Sequence, residues 1–334
     1  MDRIYFQWHI TNICNFRCRH CYQDIFDDRE DLDWQGLKRT ATSIIQTAHR
    51  QNKKLIISIT GGEPLLKKEF FILLDYLQSE PEIEKLIIIT NGSLLNSDVL
   101  ERLKRYNKIN EIKLSLEGAS PSTNDRIRGR GSFVKVLEKI HLIKRETEFS
   151  CTVMFTVFKS NIEELPLLYQ LAKKELVSGI VIERFLPLGR GKTMESELLD
   201  YSDWYRLNKI ILDLDNFPFS LEDLLPYRAF WIKFLSKKTE LLGASCNVGE
   251  DAFCIMPNAD IQPCRRFTLK LGNLLKDSLE EIMESRLMEE IISVPRQGAC
   301  QNCKIYDCRG CPALSYILKR NWQAEDLQCW YKRR

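Results

Sequence analysis

The chain has 334 residues and a formal net charge of +3, with 44% hydrophobic and 28% charged residues. This composition is typical of a globular protein, and the near balance of 49 basic and 46 acidic residues gives no electrostatic case for nucleic-acid binding. The N-terminus lacks a long apolar run with a small-residue cleavage site, and no segment reaches the about 18 apolar residues of a membrane helix. We therefore expect a cytoplasmic protein that binds neither nucleic acid nor a membrane.

Six short apolar segments, rich in β-branched residues, alternate with segments of helical periodicity over the first two-thirds of the chain. The predicted strands cover residues 4–8, 55–60, 86–90, 111–117, 149–157 and 179–185. The predicted helices cover about 34–48, 70–77, 95–106, 133–143, 165–172 and 204–214. Strict alternation predicts an α/β fold with a parallel sheet and outer helices, and six units predict a partial (β/α)6 barrel over residues 1–215.

Polar and glycine-rich motifs follow these strands, at the ends where barrel enzymes carry their chemistry. Cysteines follow the first strand, and later strand ends carry Gly61-Gly62-Glu63-Pro64, Asn91-Gly92-Ser93, Glu117-Gly118-Ala119-Ser120 and Pro187-Leu188-Gly189-Arg190-Gly191. Glu183, Arg184 and Arg190, around the end of the sixth strand, either line the same pocket or form a salt-bridged rim. The shared position of these motifs favours an enzyme.

The alternation stops at about residue 216, and the cysteine density changes at residue 246. Residues 216–245 form a mixed, partly aromatic segment that we predict to be a helical connection packed on the barrel. Residues 246–334 are predicted to form a small cysteine-rich domain, with a helix over Ser278–Ile291 inside it.

Cys14, Cys18 and Cys21 have the spacing C-x3-C-x2-C. Three thiolates on one loop can bind three irons of a [4Fe–4S] cluster and leave the fourth iron open for a substrate or cosubstrate. A zinc site with His20 as the fourth ligand is the alternative, although His20 is adjacent to Cys21 and simultaneous tetrahedral ligation would be awkward.

Eight further cysteines lie in the C-terminal segment, around a core with the spacing C-x2-C-x4-C-x2-C: Cys246, Cys254, Cys264, Cys300, Cys303, Cys308, Cys311 and Cys329. Eight thiolates equal two four-thiolate iron–sulfur sites, and two zinc sites are the alternative. Cys151 stands alone on the fifth predicted strand between apolar neighbours, and we interpret it as a buried core thiol.

The N-terminal cysteine spacing, placed after the first strand, resembles the signature of the radical S-adenosylmethionine (SAM) superfamily. The ordered motifs Gly61–Pro64, Thr90–Gly92, Ser115–Gly118, Asn124–Gly129 and Pro187–Gly191 extend the resemblance over about residues 4–192. It implies that Cys14, Cys18 and Cys21 hold a catalytic [4Fe–4S] cluster whose open iron is chelated by SAM. It further implies reductive cleavage of SAM to a 5′-deoxyadenosyl radical, which abstracts a hydrogen atom from substrate.

The same resemblance implies roles for residues at the later strand ends. Gly61 and Gly62 would allow the backbone to approach SAM closely, and Glu63 would accept a hydrogen bond from its ammonium group. Asn91 belongs to the same implied set of SAM-binding residues. Ser115 and Arg128 would contact the ribose or carboxylate of SAM, and Tyr22 would pack near its adenine. The alternatives are a helix-start carboxylate for Glu63, a turn hydroxyl for Ser115 and a surface charge for Arg128.

The C-terminal cysteines, with the turn Gly272-Asn273 between them, resemble a SPASM domain, an auxiliary-cluster extension of many radical SAM enzymes. The resemblance implies two auxiliary [4Fe–4S] clusters, three in all. One would be held nearer the active site by Cys246, Cys254, Cys264 and Cys311, and the other by Cys300, Cys303, Cys308 and Cys329.

SPASM proteins mainly modify peptides or proteins, so the resemblance implies a peptide maturase that introduces a crosslink, a thioether or an epimerised residue. Sulfatase maturation is disfavoured, because Arg265 occupies the position after Cys264 where that group carries a catalytic Asp. Decarboxylation of a haem precursor and a non-enzymatic electron-transfer or scaffold role are the alternatives. The implied partners are a peptide or protein substrate and an electron donor such as flavodoxin or ferredoxin. Because the first strand begins by about residue 4, a separate protein or the barrel mouth would have to recognise a peptide.

Overall fold

The computed structural model describes residues 2–331. In this range eleven strands form one sheet: β1 (Arg3–His9), β2 (Lys54–Thr60), β3 (Ile83–Thr90), β4 (Ile109–Ser115), β5 (Ser150–Val157), β6 (Gly179–Arg184), β7 (Ala229–Phe234), β8 (Thr239–Ala244), β9 (Ala252–Ile255), β10 (Asp260–Gln262) and β11 (Gly272–Asn273). Their spatial order is β11-β10-β9-β1-β2-β3-β4-β5-β6-β7-β8. The six central strands, β1 to β6, are parallel neighbours, which confirms the predicted partial (β/α)6 barrel.

Helices follow each of the six parallel strands and cover the outer face of the sheet. They are α1 (Trp34–Arg50), α2 (Phe70–Ser79), α3 (Ser97–Leu103), α4 (Pro121–Arg128), α5 (Ser132–Glu146), α6 (Leu165–Lys174) and α7 (Tyr201–Asp213), and the C-terminal segment adds α8 (Leu279–Met283), α9 (Arg286–Ser293) and α10 (Pro312–Lys319). Short 3-10 turns lie at Pro64–Leu66, Lys159–Glu164, Gly189–Glu197, Glu222–Leu224 and Gly298–Cys300. None of the helices within residues 2–331 has both the length and the apolar character needed to cross a bilayer.

Successive side chains along each strand point alternately into the apolar core and into the interior of the barrel. On β1 the side chains of Ile4, Phe6 and Trp8 are buried in the apolar core that also contains the α1 residues. Gln7, between them, lines an interior cavity instead. Cys151 on β5 is 1% exposed within the same core, which confirms its interpretation as a buried thiol.

The segment 216–245 differs from the prediction. It was expected to be a helical connection, but β7 and β8 form an antiparallel hairpin that extends the sheet beyond β6. Along β7 the residues alternate between buried Phe230 and Ile232 and the half-buried Trp231 and Lys233, which is the period of a strand. The hairpin therefore places two further side chains inside the barrel.

Two other elements correct the sequence prediction. The single helix expected over Ser278–Ile291 is two helices, α8 and α9, because the Ser285 side chain accepts from the Met288 N–H and starts a new helix. Helix α4 was not predicted, although Ser120 as N-cap and Pro121 at the first position are the usual start signals. Its last residue is Arg128.

The cysteine loop, residues 10–22, is tied by its backbone to the end of β2. The N–H of Gly62 donates to the carbonyl of Thr11 at 2.8 Å, and the N–H of Glu63 donates to the carbonyl of Ile13 at 2.8 Å. A Cβ at Gly61 would lie 2.4 Å from the Thr11 oxygen, and a Cβ at Gly62 would lie 2.2 Å from the Ile13 oxygen. The glycines were expected to admit a ligand, and in the structure the close approach that they permit is that of the cysteine loop.

Asp31 provides a second anchor for this loop. The hydroxyl of Thr11 and the N–H of Asn12 both donate to its carboxylate, the latter at 2.9 Å. Lys67 lies 3.6 Å from the same carboxylate and is itself buried. The segment that leads into Cys14 is therefore held from two sides before any metal is bound.

The substitution Gly62→Ala tests the first anchor. Its Cβ would clash with the Ile13 carbonyl, so the loop must move, and we expect a loss of about 2 kcal/mol in folding stability. We also expect less iron per chain, because Cys14 would be displaced. The measurements are the thermal unfolding midpoint and the iron content after anaerobic purification.

Gly129→Ala is the matched control. Its φ is +110°, so alanine is strained there, but a Cβ meets no atom within 4 Å. We expect a cost of about 1 kcal/mol and unchanged iron content. Equal iron loss in the two variants would contradict the role given to the Thr11–Gly62 contact.

Candidate active site

The C-terminal ends of β1 to β6 surround a cavity that combines most of the predicted site residues. Its wall contains Cys14, Cys18, Cys21, Tyr22, Gly61, Gly62, Asn91, Ser115 and Arg128. Glu63 is the one predicted cofactor-binding residue that is not part of the wall. The motifs at separate strand ends therefore meet in space, as their positions predicted.

Backbone N–H groups hold two of the three cysteines in place. The Cys14 sulfur accepts from the Phe16 N–H at 3.3 Å, and the Cys21 carbonyl accepts from the Gly191 N–H at 2.9 Å. Burial raises the pKa of Cys14, and it raises that of Cys21 to about 11. A bound cation would favour ionisation of these thiols, which is how thiolate ligands of metals form.

The donor set fits an iron–sulfur cluster better than one zinc ion. His20, the proposed fourth zinc ligand, has its Nε2 3.2 Å from the Glu117 carboxylate. Within residues 2–331 no three His, Cys, Asp or Glu side chains converge on a point that a single ion could occupy. The three thiolates of a [4Fe–4S] cluster bind three different irons and do not need to converge.

Glu63 is held by residues at the end of the neighbouring strand. Its carboxylate is fully buried and accepts from the Thr90 hydroxyl at 2.7 Å and from the Asn91 N–H at 2.8 Å. Burial raises the pKa of Glu63, and these donors oppose the increase. The side chain thus joins the ends of β2 and β3.

Asn91 lies between Glu63 and the first cysteine. Its side-chain amide donates to Asn15 at 3.0 Å and approaches the Cys14 sulfur at 3.9 Å, while its backbone is bonded to Glu63. Ser115, the last residue of β4, lines the cavity with no such network around it. Asn91 therefore orders the cysteine loop as well as the wall.

Glu117 is a site residue that the sequence analysis quoted in a motif without giving it a role. It is 1% exposed and its carboxylate lies 2.9 Å from Nη1 of Arg128 and 3.2 Å from Nε2 of His20. Burial opposes its ionisation, but His20 and Arg128 hold the pKa of Glu117 below its usual range. The sequence could have indicated this role, because Glu117 is two residues beyond Ser115 and residues at that spacing face the same side of an extended chain.

Arg128 is buried, so its interpretation as a surface charge is wrong. One nitrogen of its guanidinium, Nη1, is held by Glu117, and its buried Nε has no hydrogen-bond partner among the described residues. An unpartnered donor in a buried cavity is costly and points to an acceptor on a ligand. The geometry suits a carboxylate or a ribose oxygen.

Tyr22 and Arg265 form the side of the cavity next to β1. The Tyr22 hydroxyl donates to the Gly61 carbonyl at 3.3 Å, and the Arg265 guanidinium lies 5.9 Å from the centre of the Tyr22 ring. Arg265 was considered only as a replacement for an acid, yet it lines the cavity and forms an ion pair with Glu183. Arg266 lies 2.8 Å from the same carboxylate.

The two arginines dominate the electrostatics of Glu183. Burial opposes its ionisation, but Arg265 and Arg266 hold the pKa of Glu183 at about 2. Glu183 thus lines the cavity and is salt-bridged at once. Arg184 has an oxygen of Gln328 at 2.6 Å from its Nη1 and also contacts Asp326, whereas Arg190 is exposed.

Four of the C-terminal cysteines line a separate small cavity: Cys300, Cys303, Cys308 and Cys329. Arg228 and Asp326 are part of the same wall. Arg228 donates to the Cys308 sulfur at 3.0 Å while its Nε lies 3.1 Å from Asp326. A buried cation aimed at a cysteine sulfur suits a thiolate ligand.

The other four C-terminal cysteines are Cys246, Cys254, Cys264 and Cys311. Cys254 is on β9, and Cys311 is the N-cap of α10, where its sulfur accepts from the Leu314 N–H at 3.4 Å. Burial, and then the charges of Cys246 and Cys311, raise the pKa of Cys264 to about 12. Four of the C-terminal cysteines thus line one cavity, and the charges of Cys246, Cys264 and Cys311 interact with one another.

Two family models match the chain. The radical SAM superfamily matches residues 8–172, and the SPASM iron–sulfur cluster-binding domain matches residues 246–312. The first range covers the cysteine loop and most of the parallel barrel, and the second covers all but one of the eight C-terminal cysteines.

Relatives are similar over most of the chain. The AdoMet-dependent heme synthase of Methanosarcina barkeri (strain Fusaro / DSM 804) is 25% identical over 97% of this chain and 95% of that protein. The mycofactocin maturase MftC of Mycolicibacterium smegmatis (strain ATCC 700084 / mc(2)155) is 25% identical over 96% of this chain and 81% of that protein. The crystal structure of Streptococcus suis SuiB bound to precursor peptide SuiA has the same fold, with a TM-score of 0.72 at 18% identity over 97% of this chain and 75% of that one.

The order of the cavity motifs, the two cysteine groups and the two matched domains agree with one another. SAM and iron–sulfur clusters are the cofactors that these domains bind. The chain is a radical SAM enzyme with a C-terminal SPASM domain.

Proposed function

We propose that this enzyme cleaves SAM reductively to a 5′-deoxyadenosyl radical and oxidatively modifies a peptide or protein. The observation that carries the proposal is the cavity that combines three cysteines, the buried Arg128 and the Arg265–Glu183 pair beside the SPASM segment. The resemblance to the maturase MftC supports a ribosomally made peptide as substrate, with a crosslink, a thioether or an epimerised residue as product.

Three [4Fe–4S] clusters are part of the proposal. Cys14, Cys18 and Cys21 would hold the catalytic one, which when bound supplies one electron and an open iron for SAM. Cys246, Cys254, Cys264 and Cys311 would hold the inner auxiliary cluster, and Cys300, Cys303, Cys308 and Cys329 the outer one. The grouping of these side chains in space supports the assignment.

The contacts to SAM follow from what faces the cavity. Arg128 would bind the carboxylate or ribose with its free Nε, and Ser115 would add a hydroxyl from the neighbouring strand end. Gly61 and Gly62 offer backbone groups, and Tyr22 and Asn91 flank them. Glu63 is assigned a positioning role, because its carboxylate is already engaged by Thr90 and Asn91.

Electrons would enter from a donor such as flavodoxin or ferredoxin. A substrate radical that must lose an electron needs an acceptor. The SPASM segment would supply it, because Arg265 and Arg266, which follow Cys264 in that segment, line the same cavity. A separate recognition protein would present a peptide in the way the proposal requires.

Iron content tests the three-cluster assignment. We expect about twelve irons per chain after anaerobic reconstitution, four for each cluster, because eleven cysteines are grouped for three sites. The double substitution Cys300→Ala/Cys303→Ala should lower the value to about eight, since two ligands of the outer site are lost. Colorimetric iron and sulfide determinations measure both.

Cys151→Ala is the matched control, because Cys151 is buried in the core and belongs to none of the three proposed cluster sites. It should keep about twelve irons and lose about 1 kcal/mol of stability. About four irons in the wild type would contradict the auxiliary clusters.

Activity tests the reaction class. With SAM and dithionite we expect 5′-deoxyadenosine from the wild type and none from Cys18→Ala. A candidate peptide, chosen from short reading frames beside the gene, should change mass or incorporate deuterium from D2O. If 5′-deoxyadenosine forms but no peptide changes in mass or stereochemistry, the peptide assignment is wrong.

Decarboxylation of a haem precursor is the second candidate. It is favoured by one observation, the match to the heme synthase over nearly the full length of both chains. Loss of CO2 from an iron porphyrin in the same assay would select it over peptide modification.

A further inference from the structure

A second cavity of about 570 Å3 lies inside the barrel, next to the SAM cavity. The two share Gln7, Glu183, Arg265 and Arg266, which therefore form the partition between them. On β4 the SAM cavity is lined by Ser115, and the second cavity by Lys113 and Glu111. The second cavity is thus the next layer of inward side chains, nearer the N-terminal ends of the strands.

The wall of this cavity carries more positive than negative charge. Its cations are Lys85, Lys113, Lys233, Arg265 and Arg266, and its carboxylates are Glu111 and Glu183, which gives five against two. Glu183 is paired with both arginines, and the cysteines beside them, Cys254 and Cys264, face the same end. Even when both arginines are counted as partners of Glu183 and the cysteines, the three lysines have only one carboxylate, Glu111, to balance their charge.

Glu111 is shared unequally among the lysines. Its carboxylate lies 2.9 Å from Nζ of Lys85 and 3.8 Å from Nζ of Lys113, and it also accepts from the Thr152 hydroxyl. Burial lowers the pKa of Lys113, an effect that Glu111 and Glu183 oppose. The ammonium group of Lys113 is therefore only partly compensated by the protein.

Lys233 has no ion-pair partner among residues 2–331. Its Nζ lies 4.2 Å from the centre of the Trp231 ring, and the Nζ of Lys113 lies 5.0 Å from the same ring. Cation–π contacts hold both ammonium groups at the wall without neutralising them. The ammonium groups of both lysines thus lie near one indole in the wall of the second cavity.

We propose that this second cavity binds carboxylate groups of the substrate, through Lys113 and Lys233, and delivers the adjoining part of the substrate past Arg265 to the SAM cavity. The inference deepens the proposed function and rests on it. The carboxylates belong either to acidic residues of a peptide or to the side arms of a tetrapyrrole, and the ligand chemistry is the same in both. A charge-assisted hydrogen bond from each lysine would fix the substrate in one register.

The test measures binding to the oxidised, cluster-loaded enzyme with SAM, without reductant, by isothermal titration calorimetry. The probes are a tetraglutamate peptide with blocked ends, its tetraglutamine counterpart, coproporphyrin III and its tetramethyl ester. We expect at least one carboxylate probe to bind and its neutral counterpart to bind about tenfold more weakly or not at all. Binding of the peptide alone or of the porphyrin alone identifies the source of the carboxylates.

The double variant Lys113→Gln/Lys233→Gln should weaken binding of that carboxylate probe by about tenfold or more. Lys113→Arg/Lys233→Arg keeps both charges and should restore the affinity to within about threefold of the wild type, which excludes misfolding as the cause. Lys237→Gln removes the same kind of charge from the exposed turn of the β7–β8 hairpin and should change nothing. Iron content confirms that all variants are loaded.

The proposal is overturned if neither carboxylate probe binds the wild type, or if the glutamine variant binds as tightly as the wild type. These outcomes are distinct from failure of the proposed function. That failure appears as absence of 5′-deoxyadenosine in the wild type under reducing conditions, whereas the binding assay involves no turnover.

Discussion

The backbone pairing between residues 11–13 and 62–63 is the contact on which the rest of the site depends. It joins the loop that carries all three N-terminal cysteines to the turn after β2, at 2.8 Å for each of its two hydrogen bonds. Two adjacent glycines are needed there, because a side chain at either one would overlap the carbonyl groups of the loop. The polypeptide therefore positions the cysteine loop, and the observed role of the two glycines is to let that loop approach the end of β2.

Three carboxylates lie at alternate strand ends around the cavity, Glu63 and Glu117 buried and Glu183 half-buried. Glu63 after β2 is satisfied by a hydroxyl and a backbone N–H, Glu117 after β4 by Arg128 and His20, and Glu183 on β6 by Arg265 and Arg266. A buried charge is tolerated only when it is paired, and each acid has a different kind of partner. Glu63 joins the ends of β2 and β3, and Glu117 holds Arg128 at the cavity. Glu183 and its arginines separate the cavity from the barrel interior.

The sequence was informative where pattern and position coincide. Six apolar strands with regular helices between them allow only a parallel sheet, and a parallel sheet brings its polar strand ends together, so the cavity could be predicted from the motif order. The hairpin at 229–244 was missed because aromatic residues mask its two-residue period, although Phe230 and Ile232 are buried and Trp231 and Lys233 are only half buried. The hydrogen bonds of Glu63 to the end of β3 and the pairing of Arg265 with Glu183 depend on distant segments that meet only in the folded chain, so no local pattern reveals them.

The SPASM segment joins the barrel by its backbone. Strand β9 runs parallel to β1, and Cys254 lies opposite Gln7 in that pairing, on the strand that leads directly into the cysteine loop. The position of Cys254 relative to the strand before the cysteine loop is consequently a property of sheet register. A rotation of the C-terminal segment that separated Cys254 from β1 would have to break the β1–β9 ladder, so the sheet holds the two segments at a fixed spacing.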